Sequence, residues 1–349
     1  MVLKNYSLIR LIEQTIKQYK LDLSGYNILL PVYSKEYALA PIMANLAGAK
    51  NIYSFSQNLE EVNNASFYEN QLNLTSNITF IERETPQILS NLDIILYGGE
   101  IPCIDGILIS ALKKECVISI LPSNLDFNQT IGINLEECTR KKISVISVNP
   151  ADKNLSLYRH LANLVTTRCC ERGIDVFRSR LLLVSNGELS NCLLSHLKGC
   201  GAQVYAAHTD KTQDSSYILK HLAEVDAVII ADYPIESPCV LGNDGFIRIE
   251  DILTINPEIK IVHLSGKVET NSLSRNRIQY WPVNLAQNSL NVNINELGPR
   301  VAAEIIAASM KISESLIKER NNNILSNDSI VTYNVVNPET PILLGKNIF

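Results

Sequence analysis

The residues that most directly suggest chemistry lie in one turn, Ser185-Asn186-Gly187-Glu188-Leu189-Ser190. An apolar run precedes this turn and a run with helical spacing follows it, so the segment is predicted as strand, turn and helix. The free N–H groups and the dipole of a helix start favour a bound phosphate. Such a turn typically carries three glycines, whereas this one carries a single glycine. Its serine and asparagine side chains can still donate hydrogen bonds, so we predict a weakened dinucleotide site at Ser185, Asn186 and Gly187.

Two further candidates follow the next predicted strand, AQVYAAH. In dinucleotide-binding folds an acid at the end of this strand binds the hydroxyls of the adenosine ribose. Here His208 can accept a 2′-phosphate, or Asp210 can take the ribose. A strand end that binds no ligand is the alternative interpretation. We predict NAD or NADP as the cofactor.

The segment LYGGE places two glycines and an acid at the end of an earlier predicted strand. Ligands of open α/β sheets bind outside the carboxyl ends of the strands. Gly98 and Gly99 would let a substrate approach the backbone closely, and Glu100 can act as a base. A plain glycine turn entering a loop is the alternative.

Arg300 occupies the first turn of a predicted long helix, Glu296–Arg320, where a positive charge is unfavourable. An ion pair with Glu296 or with Glu304 would explain this position. An anion held between Arg300 and the helix start is the alternative explanation, although Glu304, one turn on, favours the ion pair. Both interpretations stay open from the sequence.

These candidates are positioned by alternating predicted strands and helices, which is the pattern of a parallel α/β sheet. Short apolar runs, typical of strands buried on both faces, form two series that resemble each other. We therefore predict two Rossmann-like units in tandem. The predicted strands are Tyr26–Tyr33, Asn51–Ser56, Asn77–Glu82, Leu92–Gly98, Cys116–Pro122 and Lys142–Val148, then Arg180–Ser185, Ala202–His208, Val225–Ala231 and Ile259–Ser265.

Composition excludes several classes of function. The 349 residues, 46% hydrophobic and 19% charged, suit about two globular domains. The net charge of −5 and the scattered basic residues give no reason to expect a nucleic-acid partner, and no apolar run is long enough to cross a membrane. The eight cysteines have neither CxxC nor zinc spacing, so we expect no metal site and reduced thiols in a cytoplasmic protein.

A specific resemblance begins in the stretch INLEECTRKKISVISVNPADKNLSLYRHLANLVTTRCC, residues 133–170. It is similar to the interdomain region of the NAD-dependent D-2-hydroxyacid dehydrogenases. The similarity extends over residues 90–285, through SRLLLVSNGELSNCLLSHLKGCGAQVYAAH, EVDAVIIADYP and IVHLSGKVE.

The resemblance implies an α/β fold of two Rossmann/flavodoxin-like parallel-sheet domains. The nucleotide-type domain is inserted between the N-terminal segment and a C-terminal helix. It implies residues 1–150 plus 297–349 as a flavodoxin-like outer domain of the substrate type, and residues 151–296 as a Rossmann domain of the dinucleotide-binding type. Because this outer region lines the family's substrate cleft, the resemblance also makes Ser123 and Asn124 candidate substrate contacts.

The sequence departs from the family at the positions that perform its reaction. Where the family has a substrate-binding arginine, this chain has Ser265-Gly266, with Lys267 just beyond. Where the family has an acid/base histidine, Val283 follows the proline. Without that proton carrier, standard 2-hydroxyacid dehydrogenase chemistry has no evident general base. The remaining candidates for catalysis are Glu100, Lys267 and Arg300.

We therefore expect an NAD(P)-dependent oxidoreductase-like protein that acts on a small metabolite in the cleft between its domains. One alternative is a catalytically inactive Rossmann-fold protein that binds a ligand or serves an accessory role. Another is a non-redox enzyme, a transferase or lyase, that uses the same cleft. A homodimer is expected because closed twofold dimers are the commonest oligomers. The C-terminal run SIVTYNVV would pair with its own chain or with a neighbouring copy.

Overall fold

The computed structural model describes residues 6–32, 37–55, 77–81, 85–98, 104–122, 132–209, 215–233, 239–283, 290, 292–322 and 333–335. The chain divides into two compact units. Unit 1 comprises Met1–Ser156 and Leu297–Phe349, and unit 2 comprises Leu157–Glu296. Both units are built around mainly parallel sheets with interleaved helices, so the predicted α/β class with two such sheets is confirmed.

Unit 1 contains a seven-stranded sheet. Six parallel strands follow the order β3-β2-β1-β4-β5-β6, and β14 joins the β6 edge antiparallel. Six strands in this order make the Rossmann arrangement, rather than the order 2-1-3-4-5 of flavodoxin. Because β14 pairs with β6 of the same chain, the described part of the C-terminal run pairs with its own chain. The strands are β1 (Asn27–Pro31), β2 (Asn51–Phe55), β3 (Ile78–Ile81), β4 (Ile94–Tyr97), β5 (Val117–Ile120), β6 (Ser144–Val148) and β14 (Tyr333–Val335).

Helices of unit 1 pack against the sheet, which explains why its central strands are buried and mainly apolar. One group consists of the helices α1 (Tyr6–Tyr19), α2 (Leu39–Leu46) and α12 (Pro299–Asn322), which contact one another. The other consists of α3 (Pro86–Leu89), α4 (Gly106–Ala111) and α5 (Leu135–Lys141), whose apolar side chains share a core with alternate residues of β4 and β5.

Side-chain caps start the three short helices of unit 1. Thr85, Asp105 and Asn134 each accept a hydrogen bond from a first-turn amide of α3, α4 and α5 respectively. Gly298 interrupts the long helix predicted for Glu296–Arg320 near its start. Gly298 has φ +80°, so α11 (Ile294–Leu297) ends before it and α12 begins at Pro299 rather than at Glu296.

Unit 2 contains a five-stranded parallel sheet in the order β13-β12-β9-β7-β8. Counted along the chain within this sheet, that is the doubly wound order 2-1-3-4-5. A two-stranded sheet, β10 with β11, stands apart from it. The strands are β7 (Arg180–Ser185), β8 (Gln203–Ala207), β9 (Ala227–Ala231), β10 (Leu241–Gly242), β11 (Ile247–Arg248), β12 (Lys260–Ser265) and β13 (Gln279–Trp281).

The register of unit 2 aligns the carboxyl ends of its three central strands. Ala231 at the end of β9 pairs with both Ser185 on β7 and Ser265 on β12. Side chains from the helices α8, α9 and α10 complete a core with these strands. The helices of this unit are α6 (Leu157–Glu171), α7 (Gly187–Gly199), α8 (Ser215–Leu222), α9 (Ile249–Ile255), α10 (Thr270–Arg275) and α11.

Several features of the described part of the chain bear on the class of protein. No helix there is long and apolar enough to cross a lipid bilayer. No group of three metal-ligating side chains comes together within the same residues. The cysteines that the structure describes are free thiols, with Cys169 buried and its neighbour Cys170 exposed.

Candidate functional site

The carboxyl ends of β7 and β9 mark the point in unit 2 where the strand order reverses. β8 follows β7 along the chain and pairs with one side of it, whereas β9 pairs with the other side. Connections that leave in opposite directions open a crevice at such a point, and open α/β sheets bind their ligands there. The predicted turn at Ser185–Ser190 lies at this switch point, between β7 and α7.

Gly187 is needed for the shape of this turn. It is the first residue of α7 and has φ +59°, in the left-handed region that residues with a Cβ avoid. Gly187 and Glu188 are exposed, whereas the flanking Asn186 and Leu189 are buried. The single glycine that remains therefore lies where the backbone turns sharply and is open to a ligand.

The side chains of Ser185 and Asn186 are directed into the protein. The Ser185 hydroxyl donates to the carbonyl of Ala231 at 2.7 Å, which links β7 to β9. Asn186 is 1% exposed, and its amide is used entirely by other residues of unit 2. The expectation that these two side chains donate to a phosphate is thus not met, because protein acceptors already occupy their protons. At these two positions, only the backbone is left to contact a phosphate.

Asn186, Thr209 and Asp232 form a hydrogen-bonded group, which we call the switch-point network. Asn186 Nδ2 donates to Thr209 Oγ1 and to Asp232 Oδ1. Thr209 Oγ1 donates to the same Asp232 oxygen at 2.7 Å, and the Thr209 amide donates to Asn186 Oδ1 at 3.0 Å. Asp232 is fully buried. The network therefore joins the ends of β7, β8 and β9.

Because of this arrangement, the Asn186 side chain does not cap the start of α7, and none of the described side chains is recorded as capping it. Asn186 is the N-cap residue and has an extended backbone, yet its side chain makes no capping hydrogen bond. Asparagine is among the best N-cap residues, so its engagement elsewhere is unusual. The first-turn N–H groups have no partner within the helix, and they lie beside the exposed Gly187. Such a helix start can accept a phosphate.

His208 lies at the end of β8, next to this turn. Its Nδ1 is 3.0 Å from the carbonyl oxygen of Ser185. Because a carbonyl only accepts hydrogen bonds, Nδ1 carries a proton, and the neutral ring has an unprotonated Nε2. The ring is half-buried. Asp210, the other candidate for contact with the ribose, lies outside the described residues.

Two tyrosines approach the same turn. Burial raises the pKa of the Tyr158 hydroxyl well above its usual range, and the neighbouring Tyr233 and Glu188 raise that pKa further. Tyr158 belongs to the first turn of α6, and Tyr233 directly follows the switch-point residue Asp232. A phenol with a raised pKa stays protonated and can donate a hydrogen bond, but it is a poor general base at neutral pH.

The end of β12 closes another side of the switch point. The Ser265 hydroxyl donates to the Asp232 carbonyl at 2.9 Å, and the Asp232 amide donates to the Ser265 carbonyl at 3.1 Å. Gly266 has φ +109°, and a Cβ at this position would lie 2.9 Å from the Asp232 Cβ. Lys267 is exposed. The backbone turn at Ser265-Gly266 is thus tightly packed.

His263 supports this turn from within the strand. It is 1% exposed, and its Nε2 donates to the Gly266 carbonyl at 2.7 Å. Burial lowers the pKa of its imidazole to about 4. The Arg168 guanidinium donates to the His263 carbonyl at 3.0 Å and pairs with Glu296 at 2.8 Å. These contacts make His263 a hydrogen-bonded histidine of the core.

Fewer of the unit 1 candidates can be located. Gly98 is buried and directly follows β4, at the point where the strand order of unit 1 reverses between β1 and β4. The candidates Gly99, Glu100, Ser123 and Asn124 lie outside the described residues.

Arg300 is exposed at the start of α12. It lines a cavity of about 410 Å³ together with Arg10. The carboxylate of Glu304 accepts from the Ser156 amide at 3.0 Å, and Glu296 is paired with Arg168. Both acids proposed as partners of Arg300 are thus engaged by other groups. Arg300 has no carboxylate among the described residues that line its cavity. Lys267, another candidate for catalysis, belongs to unit 2, whereas Arg300 belongs to unit 1.

Sequence reasoning missed Thr209, Asp232, Tyr158 and Tyr233 as site residues. A signal for Asp232 and Tyr233 was present, because they directly follow the apolar strand AVIIA in unit 2. The rule that ligands bind at the carboxyl ends of strands applies to them as it does to His208. Tyr158 carried no such signal, because only the packing of α6 brings it near the turn.

Comparison with known proteins gives the fold a context. The chain matches no protein-family model and no curated protein. Among solved structures it is similar to a dipicolinate synthase chain from Bacillus subtilis, with a TM-score of 0.59 and 12% identity over 86% of this chain and 99% of that chain. The corresponding dipicolinate synthase chain from Bacillus halodurans follows, with a TM-score of 0.56 and 12% identity over 82% and 96% of the two chains.

A third similar structure is the NAD-dependent formate dehydrogenase from Staphylococcus aureus, solved in complex with NAD. Its TM-score is 0.52, at 10% identity over 87% of this chain and 98% of that chain. The resemblance to the D-2-hydroxyacid dehydrogenase superfamily is confirmed for the fold. At such low identity the similarity extends to the fold alone, because functional sites change on a retained fold.

Proposed function

We propose that unit 2 binds NAD or NADP, with the pyrophosphate at the start of α7. The chain would then be an NAD(P)-dependent oxidoreductase-like protein that acts on a small-molecule metabolite. The observation that carries this proposal is the uncapped first turn of α7, located at the switch point and exposed beside Gly187. The formate dehydrogenase of similar fold, solved with NAD, supports the choice of ligand.

The proposed chemistry differs from that of a standard 2-hydroxyacid dehydrogenase. The backbone turn Ser265-Gly266 stands where the family has its arginine, and Val283, 62% exposed, stands where a histidine would follow the proline. Tyr158 would contribute a hydrogen-bond donor, not a base, because its pKa is raised. The catalytic roles of Glu100, Lys267 and Arg300 remain predictions.

Binding of NADH and NADPH to the purified chain tests this proposal directly. Energy transfer from the single Trp281, which lies in unit 2 on β13, would report the binding. We expect micromolar binding of at least one dinucleotide. Gly187→Ala should weaken it by about tenfold or more, because a Cβ strains the φ +59° turn and obstructs the backbone that faces the phosphates.

Gly25→Ala provides a matched control. Gly25 also has a positive φ, +87°, and its added Cβ would meet nothing within 4 Å. This substitution in unit 1 imposes comparable backbone strain away from the turn, so it should leave dinucleotide affinity unchanged. Equal losses in the two variants, or no binding of either dinucleotide to the wild-type chain, would contradict the proposal. The interpretation as a binding or accessory protein would then take its place.

We further propose that the protein is cytoplasmic, where its described thiols stay reduced, and that it forms a homodimer. Size-exclusion chromatography with light scattering tests the second point.

A further inference from the structure

We propose that Asn186, Thr209 and Asp232 are positioning residues of the dinucleotide site: they keep the α7 start uncapped, so that a phosphate of the ligand serves as its cap. This inference rests on the proposed function. It assigns a role in ligand binding to a buried acid and a threonine at the ends of β9 and β8.

The first step of the argument is the full use of the Asn186 side chain. Its two amide protons go to Thr209 and Asp232, and its carbonyl oxygen accepts from the Thr209 amide. An asparagine caps a helix through that same carbonyl oxygen. Asn186 therefore cannot turn to α7 without breaking this set of bonds.

The second step concerns Asp232. Its Oδ1 accepts from both Asn186 and Thr209, so the carboxylate helps to orient the two side chains. The Asp232 backbone is fixed in turn by Ser265, through one hydrogen bond in each direction. A fully buried carboxylate is costly unless donors satisfy it. These donors come from the ends of β7 and β8, which border the crevice.

The third step is the contrast with helices that cap themselves. In unit 1 the Asn134 side chain accepts from the Glu137 amide at 3.0 Å and caps α5 in the ordinary way. At the start of α7, the Asn186 side chain is bound within the switch-point network instead and does not cap the helix. A ligand phosphate, with several acceptor oxygens, would satisfy the N–H groups that Asn186 leaves open.

The test compares Asn186→Ser with Asn186→Ala. Both variants lose the amide of the network, but only the serine can cap α7 by itself. We expect Asn186→Ser to have the higher melting temperature of the two and to bind the dinucleotide about threefold to tenfold more weakly than Asn186→Ala. Stability and affinity would thus change in opposite directions, whereas a purely structural role would make them change together.

Three further variants test the network and provide a control for the loss of an ordinary cap. Asp232→Asn keeps one carbonyl oxygen for the two donors and should stay within about threefold of wild-type affinity, whereas Asp232→Ala should not. Asn134→Ala removes an ordinary cap and should lower the melting temperature without a change in NADH or NADPH binding.

The outcomes separate the two proposals. If the wild-type chain binds a dinucleotide and Asn186→Ser is both more stable and tighter-binding than Asn186→Ala, the positioning role is overturned while the proposed function stands. If the wild-type chain binds neither NADH nor NADPH, both are overturned. If Asn186→Ser is more stable than Asn186→Ala but binds the dinucleotide more weakly, the inference is supported.

Discussion

His263 shows how one buried residue links the turn after β12 to pH. The imidazole is neutral in the folded chain, where burial lowers its pKa to about 4, and it donates to the Gly266 carbonyl. In the unfolded chain it titrates near its usual value of about 6.5. Between these values the unfolded state binds more protons. The contribution of His263 to the free energy of unfolding is therefore fully present above about pH 6.5 and falls as the pH drops toward 4.

We expect the wild-type chain to lose about 2 kcal/mol from this residue between pH 7.5 and pH 5. His263→Gln keeps a donor for the Gly266 carbonyl and does not titrate, so its stability should depend less on pH. Urea unfolding at the two pH values measures the difference. Identical pH dependence in both proteins would show that His263 does not contribute in this way.

His208 is the described residue that would choose between the two cofactors. Its Nδ1–H is held by the Ser185 carbonyl, so a 2′-phosphate would meet the other ring nitrogen, Nε2. We expect His208→Gln to weaken the binding of NADPH by about tenfold and to leave the binding of NADH nearly unchanged. The same titrations report both constants. An equal loss for both cofactors would assign the residue to the shape of the turn instead.

At the scale of elements, Arg168 ties α6 to the end of β12. Its guanidinium reaches the His263 carbonyl and Glu296, and its side chain is 9% exposed. Arg168→Met should lower the free energy of unfolding by about 1–3 kcal/mol, because the buried His263 carbonyl loses its donor. Arg168→Lys should recover part of this loss, since an ammonium can serve one of the two acceptors well.

Arg248→Met is the comparison for that measurement. Arg248 pairs with Asp251 on the surface, with 53% of its side chain exposed, and such pairs contribute less than about 1 kcal/mol. Chemical unfolding of the four proteins gives the values. If Arg168→Met were as mild as Arg248→Met, the link between α6 and β12 would be unimportant for stability.

At the scale of the whole molecule, the position of β14 bears on assembly. Tyr333–Val335 pairs antiparallel with Ile146–Val148 of the same chain, so this run already has a partner. We expect the homodimer to persist when residues 329–349 are removed, and light scattering should give twice the mass of the truncated chain. A monomer after truncation, from a dimeric wild type, would show that the C-terminal run contributes to the interface.

The class of fold and the position of most strands were predictable from the amino-acid sequence. All ten predicted runs form strands, because the strands of parallel sheets are mainly apolar and are therefore visible as short apolar runs. The strand-turn-helix at Ser185–Ser190 was predictable for the same reason. β10, β11 and β13 were not predicted, since two or three residues carry too little pattern.

The construction of the candidate site became visible only in the folded chain. Nothing in the sequence indicated that Asn186 would bind Thr209 and Asp232 instead of capping α7, because these residues are 23 and 46 positions away along the chain. Only the parallel pairing of β7 with β8 and β9 brings the three strand ends together. Local periodicity reports which face of a strand is buried, whereas partners between strand ends depend on strand order, which is a property of the folded sheet.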